Sequence, residues 1–248
     1  MLGLDNLFVI RAVVAPCYLE PSFTSSKVTE AVSGETVEII DLKGDWLFIK
    51  QDDGYESWIK DFYGTIQKEP FLSDHMSVEI SSIPFGARLK LNDNRYFTVN
   101  GAEYKFNDDA PVKLDEPPKP SNIIINARKL TGCPYRWGGK TSLGFDCSGF
   151  VQTVYLSAGI LLPRDCWQQS NFVIDKKIEG NLSKPGDLHF FGENGKISHV
   201  GISTGGLGLI HCQGWVKEES FLEHEKKYNN RLADMYMHTC SVELNLNT

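Results

Sequence analysis

The sequence predicts an α+β protein with an all-β N-terminal half and a C-terminal half of helices followed by strands. Three observations carry that expectation. Up to about residue 114 the chain alternates short β-rich runs with tight turns. Residues 114–120 read Leu-Asp-Glu-Pro-Pro-Lys-Pro, and so dense a set of prolines fits neither a helix interior nor a central strand. Beyond it the pattern turns helical and then returns to strands. The 248 residues therefore divide into 1–66, a first small barrel; 67–114, a second small β unit or an extension of the first; 115–120, a proline-rich linker; and 121–248, the domain that carries the chemistry.

The first barrel is read from Phe8 to Val14, then Val37-Glu38-Ile39-Ile40 and Trp46-Leu47-Phe48-Ile49, parted by Lys43-Gly44-Asp45, and from the turn Asp52-Asp53-Gly54 into Tyr55-Glu56-Ser57-Trp58-Ile59. The second unit is read from Ala87-Arg88-Leu89-Lys90-Leu91, Tyr96-Phe97-Thr98-Val99, the hairpin signal Asn100-Gly101 and Tyr104-Lys105-Phe106. After the linker, Ser121 is a candidate cap for a helix with Ile124, Ala127 and Leu130 on its apolar face, stopped by Gly132. A second helix starts near Asp146 and ends at Gly159; its rows Cys147, Val151, Tyr155 and Phe150, Val154, Ala158 are largely apolar, so it is expected to be buried on most sides. Strands follow at 188–191, 199–203 and 207–212.

Composition narrows the function classes. Lys and Arg number 25 against 32 Asp and Glu, a formal charge of −7 with no basic run, which argues against nucleic acid or an anionic membrane as partner. The apolar segment 7–15 is short and interrupted by Arg11. Residues 1–6 carry only Asp5 and lack the basic start of a signal peptide, and Pro16 before Cys17 disfavours a lipoprotein site. The expectation is a cytoplasmic monomer with free thiols; a periplasmic or secreted protein from which a leader was removed is the alternative. The six cysteines form no CxxC pair, so neither a zinc knuckle nor a thioredoxin motif is expected, and no cofactor or metal.

Cys147 sits in Gly144-Phe145-Asp146-Cys147-Ser148-Gly149-Phe150, in the first turn of a helix, where the helix dipole stabilises a thiolate. A free cysteine is as often a small core residue. His199 and His211 flank the turn at Gly205-Gly206. A two-residue Gly205-Gly206 loop would put the imidazoles on opposite faces. The expected connection is the three-residue loop Thr204-Gly205-Gly206, which pairs His199 directly with His211 on one face, a base and its orienting group beside a thiol.

The motifs Pro134-Tyr135-Arg136-Trp137-Gly138-Gly139, Asp146-Cys147-Ser148-Gly149, Leu162-Pro163-Arg164, Pro185-Gly186-Asp187-Leu188, His199-Val200-Gly201-Ile202 and Ile210-His211 occur in that order. As a set, over residues 121–238, they resemble the NlpC-type cell-wall endopeptidases, papain-like cysteine peptidases, and the resemblance implies a helix bearing the cysteine packed on an antiparallel sheet bearing the two histidines. The run Asp53 to Ile59, with Gly34-Glu35 and Trp46, resembles bacterial SH3-like domains over residues 5–66. Ser57 stands where glycine is more common in those barrels, and Cys212 where alanine is common after the histidine.

The resemblance implies that Cys147 is the nucleophile, His199 its base, and His211 the group that orients His199. It implies Tyr135 and Trp137 near the thiol, with Tyr135 a donor to the developing oxyanion. The substrates it implies are murein stem peptides, L-Ala-γ-D-Glu-diamino acid, cut at the γ-D-glutamyl bond. In members with N-terminal barrels, Asp146 and Ser148 with a barrel tyrosine, here Tyr63, are implied to bind the free amine of L-Ala, and Glu30 to add charge. The argument for Asp146 is that a buried carboxylate with no evident partner would welcome an ammonium. Helix capping is its alternative role. Muropeptide recycling is the expected function, with wall remodelling, another thiol amidase or acyltransferase chemistry, and a non-catalytic wall-binding protein as alternatives. Cys17, Cys133, Cys166 and Cys240 are expected to be structural, and His189 a poor ligand.

Overall fold

The computed structural model describes residues 7–114 and 116–242. The chain separates into two compact units: one runs to Pro117 and adds Arg136–Leu143, and the other takes Pro118–Tyr135 and everything from Gly144 on.

In the first unit, β1 (Leu7–Ile10), β2 (Val14–Tyr18), β3 (Lys27–Val32), β4 (Thr36–Lys43), β5 (Trp46–Lys50), β6 (Glu56–Lys60) and β7 (Gly64–Gln67) form one sheet in the order β3-β2-β6-β5-β4-β1-β7. Alternate side chains go inward, as a half-buried strand requires: Val37 and Ile39 from β4, Leu47 and Ile49 from β5, meeting Phe8, Ile10, Ala31 and Ile59. Gly44 and Gly54, both at positive φ, make the two turns that the sequence marks.

A second sheet follows, β8 (His75–Met76), β9 (Arg88–Asn92), β10 (Arg95–Phe97), β11 (Glu103–Tyr104) and β12 (Val112–Lys113), in the order β11-β10-β9-β8-β12. Asp93 and Asn94, with φ of 48° and 61°, form the tight turn between β9 and β10, a signal that the sequence reading passed over. Arg88 fastens this sheet to the barrel, its N–H donating to Ser33 O at 2.8 Å and its guanidinium lying 3.8 Å from Glu35.

Arg136–Leu143, expected within 121–248, packs with the first unit, and charge explains why. Lys140, in the short strand β13 (Lys140–Thr141), places its ammonium 3.1 Å from Glu35, and its N–H donates to Glu30 at 3.1 Å. Gly138, at φ +69°, passes so close that a Cβ there would stand 2.9 Å from Cε of Lys27.

The second unit contains α1 (Ser121–Lys129), β14 (Gly144–Phe145), α2 (Cys147–Leu156), α3 (Cys166–Val173), β15 (Lys177–Ile178), β16 (Leu188–Glu193), β17 (Lys196–Gly205), β18 (Gly208–Gln213), β19 (Trp215–Ser220), α4 (Asn230–Met235) and β20 (Tyr236–Cys240). Its sheet runs β15-β20-β16-β17-β18-β19, with α2 and α3 packed on β17. Ser121 opens α1 instead of capping it, because Pro120 already has helical φ and ψ. The buried face of α1 is Ile123, Asn126, Ala127 and Leu130, one position off the expected row at Ile124, since Asn126 donates to Ser157 Oγ at 2.9 Å. α3 was not anticipated, although its capping box, Asp165 with Gln168, is legible. Among the described residues no helix is long and apolar enough to cross a membrane.

Candidate active site

Cys147 is the first residue of α2, and Asp146 caps that helix by accepting from the Gly149 N–H at 2.7 Å. Nearly every residue of α2 is buried, so the thiol is fixed by a rigid core element. Asp146 is not short of a partner. Arg164, itself 1% exposed, grips both carboxylate oxygens, at 3.0 and 2.7 Å, and donates to Ser148 Oγ at 3.1 Å. The expectation that an ammonium must neutralise Asp146 therefore loses its premise: the motif Leu162-Pro163-Arg164 supplies the cation from within the chain.

The histidines meet on one face, but not by direct pairing. The register is Ile202 with Ile210 and Ser203 with Leu209, then a bulge at Thr204, then Gly205 with Gly208. The connection is thus the two-residue turn Gly206-Leu207, and the bulge supplies the extra residue that keeps both imidazoles on one face. His199 reaches His211 diagonally across Gly201. A Cβ on Gly201 would lie 2.6 Å from Leu209 Cδ1 and 3.0 Å from His211 Cβ, so the missing side chain makes room for the contact. His199 Nε2 and His211 Nδ1 are 2.7 Å apart, with the rings at 80°.

The same diagonal step repeats once more. Lys217 of β19 pairs opposite His211, and Glu219, two residues on, accepts from His211 Nε2 at 2.8 Å. Sequence reading missed Glu219. The signal was the alternation in Lys217-Glu218-Glu219, but it could not say which glutamate faces inward without the β18–β19 register.

Glu219 fixes the tautomers. Its carboxylate accepts from His211 Nε2–H, so His211 Nδ1 accepts from His199 Nε2–H and the lone pair of His199 is left on Nδ1, on a ring that pulls the pKa of Cys147 down. Burial works to raise the pKa of Glu219, but hydrogen bonds from His211, Asn229 and Lys217 hold it down at about 2. Burial lowers that of His211 against the pull of Glu219. The Cys147 thiol is pushed well up, first by its hydrogen bond with Cys166 and then by burial, while His199 pulls it down.

A cavity of about 250 Å³ opens on this array, lined among others by Tyr135, Cys147, His199, Gln213, Gly214 and Arg231. Tyr135 stands at its wall, with a hydroxyl whose pKa is raised by burial and by the neighbouring Cys147 and Asp146. Ser148 is buried and bonded to Arg164. Trp137, Tyr63 and Glu30 belong to the first unit. There Trp137 is exposed, Tyr63 packs against the barrel core, and Glu30 is buried in an ion pair with Lys27 at 2.8 Å. His189 is buried against Thr239, at 2.7 Å, within the sheet. Among the described residues no group of three His, Cys, Asp or Glu is arranged to hold a metal.

Residues 132–237 match the model of the NlpC/P60 family, and residues 14–63 match the bacterial SH3 domain. A gamma-D-glutamyl-L-lysine dipeptidyl-peptidase of Bacillus cereus is 29% identical over 229 residues, covering 74% of this chain and 66% of its own. Its namesake in Bacillus subtilis is 29% identical over 214 residues, covering 74% of this chain and 71% of its own. This chain therefore spans about two thirds of the length of these relatives. The crystal structure of an NlpC/P60 family protein from Bacillus cereus has the same fold, with a TM-score of 0.79 at 21% identity over 95% of this chain and 99% of that one.

Proposed function

We propose, from the NlpC/P60 family match of residues 132–237, that the protein is a cysteine peptidase hydrolysing the γ-D-glutamyl–diamino acid bond of peptidoglycan stem peptides. The observation that carries this reading is the continuous relay from Glu219 through His211 and His199 to a thiol that faces a cavity.

The steps follow from the proposed roles. His199 Nδ1 takes the proton of Cys147, and the thiolate adds to the γ-carbonyl carbon. The positive end of α2 and the Tyr135 hydroxyl stabilise the oxyanion. His199, held by His211, returns the proton to the leaving amine, the C–N bond breaks, and a thioester remains. Water then gives its proton to His199 and attacks the thioester carbonyl, releasing the carboxylate and restoring the thiol.

The names of the two Bacillus relatives support release of a dipeptide, which here would be L-Ala-D-Glu from a stem with a free amine. Six free cysteines support a reducing compartment, the cytoplasm, as the place of action. The test is to incubate the protein with L-Ala-γ-D-Glu-diaminopimelate, its L-lysine analogue and their N-acetylated forms, and to identify products by mass. Dipeptide release that vanishes in Cys147→Ala is expected; release that survives the substitution overturns the thiol mechanism. Equal cleavage of N-acetylated peptides overturns the recycling reading and favours wall remodelling.

A further inference from the structure

The nucleophile has a second thiol against it. Cys166 opens α3 as Cys147 opens α2, and each follows an aspartate that caps its helix, Asp165 and Asp146. The two first turns are laced together. Arg164, two residues before Cys166, clasps Asp146 and Ser148, and Gln169 of α3 donates to Ser148 O at 3.0 Å. These bonds bring the two helix starts together, and the two thiols lie close enough to shift one another's ionisation, Cys147 upward and Cys166 downward. Cys166 lies against β17, its Sγ 3.9 Å from Ile197 O, and is only partly buried. Cys147 faces the cavity, so a molecule the size of a peroxide reaches the pair from solvent. Cys212 is already committed, its thiol donating to Phe145 O at 3.2 Å.

Nothing in the peptidase mechanism uses Cys166. We infer that Cys147 and Cys166 are a reversible oxidation site, a dithiol that peroxides convert to an intramolecular disulfide. The Cys147 thiolate attacks the peroxide O–O bond, giving Cys147 sulfenic acid and releasing an alcohol, or water from hydrogen peroxide. The Cys166 thiolate then attacks the sulfenic sulfur. The S–O bond breaks, hydroxide leaves, and it takes up a proton as water. In sum, two thiols lose two electrons and two protons, and one peroxide is reduced to an alcohol and water. A dithiol reductant reverses the change by two-electron exchange. Disulfide formation brings the two sulfurs to the bonded separation of about 2.05 Å. The disulfide would block hydrolysis while it lasts and keep Cys147 from the irreversible sulfinic and sulfonic states.

The test oxidises the full chain with hydrogen peroxide, blocks remaining thiols, and maps peptides by mass, in wild type, Cys166→Ser and Cys166→Ala. Wild type should show a Cys147–Cys166 linked peptide, and dithiothreitol should restore nearly all of its starting peptidase rate. Each variant, measured against its own starting rate, should recover about tenfold less and carry sulfinic acid at Cys147. A wild type without that link, a Cys147–Cys212 link in its place, or a Cys166→Ala variant that recovers like wild type would each overturn the inference. The peptide map stands whether or not the tripeptide is cleaved, so failure here is distinguishable from failure of the peptidase assignment on which the activity readout rests.

Discussion

Each unit buries a polar cluster, and the two clusters end differently. In the first unit Glu35 accepts from Val32 N–H and Gln51, pairs with Lys140 and lies near Arg88, while Glu30 next to it pairs with Lys27. Burial works to raise the pKa of Glu35, yet Lys140 and Arg88 hold it below the usual carboxylate value. This network closes on itself. In the second unit the chain from Glu219 through the two imidazoles also begins at a carboxylate, but it ends on a thiol at a cavity wall. Burial of charge is common to both. What marks the second as reactive is an open end, where the last group has a proton to give and space for a substrate.

The largest test of that contrast sets His199→Ala against Lys140→Met. The first should lower turnover by about 10⁴- to 10⁶-fold, the range for loss of a member of a nucleophile–base unit, with little change in the unfolding midpoint. The second leaves Glu35 under-compensated and should cost roughly 3 kcal/mol of stability, with turnover per folded molecule unchanged. Urea denaturation beside single-substrate kinetics reads both. A Lys140→Met protein that stays folded but is inactive would break the distinction.

Asp146–Arg164 is a closed pair inside the open cluster. Arg164→Ala strands a buried carboxylate and should destabilise the protein by about 3–5 kcal/mol, whereas Arg164→Met combined with Asp146→Asn should recover most of the loss. If both variants unfold at the wild-type urea concentration, Asp146 does not depend on Arg164, and the ammonium argument for Asp146 returns.

Much of this was legible in the sequence because local rules suffice for it. The helix start at Asp146, the thiol in its first turn and the shared face of His199 and His211 follow from capping and parity. The hairpin was misread because a bulge at Thr204 and a two-residue turn give the same parity as a three-residue loop; only the register tells them apart. Glu219, the Arg164 clasp and the capture of Lys140 by Glu35 join residues 8, 18 and 105 positions apart or more, through packing that no local pattern encodes.

The diagonal contact across Gly201 gives the next test. A methyl group at Gly201 would crowd Leu209 and His211, at 2.6 and 3.0 Å, and turn the second imidazole away from the first. Gly201→Ala should lower kcat by about 10²-fold with KM little changed, the scale of a misplaced catalytic group. An unaltered kcat would show that His199 holds its orientation without His211.

The smallest effect is expected at the far end of the relay. Glu219→Gln keeps an acceptor for His211 Nε2–H but removes the charge that favours an imidazolium in the transition state. Glu219 acts through two rings, so its loss should lower kcat about tenfold, or roughly 1.4 kcal/mol. The pH dependence of stability follows from the same carboxylate. Its pKa falls from 4.5 to about 2 on folding, so its contribution is complete above about pH 4.5 and drains away as the pH drops towards 2. The stability difference between wild type and Glu219→Gln should therefore be constant near neutrality and shrink between those limits, as urea titrations at pH 7 and pH 3 would show. A difference that grows on acidification has the wrong sign for a depressed carboxylate. It would mean that the charge of Glu219 does not hold His211 in place, and the relay would then end at His211.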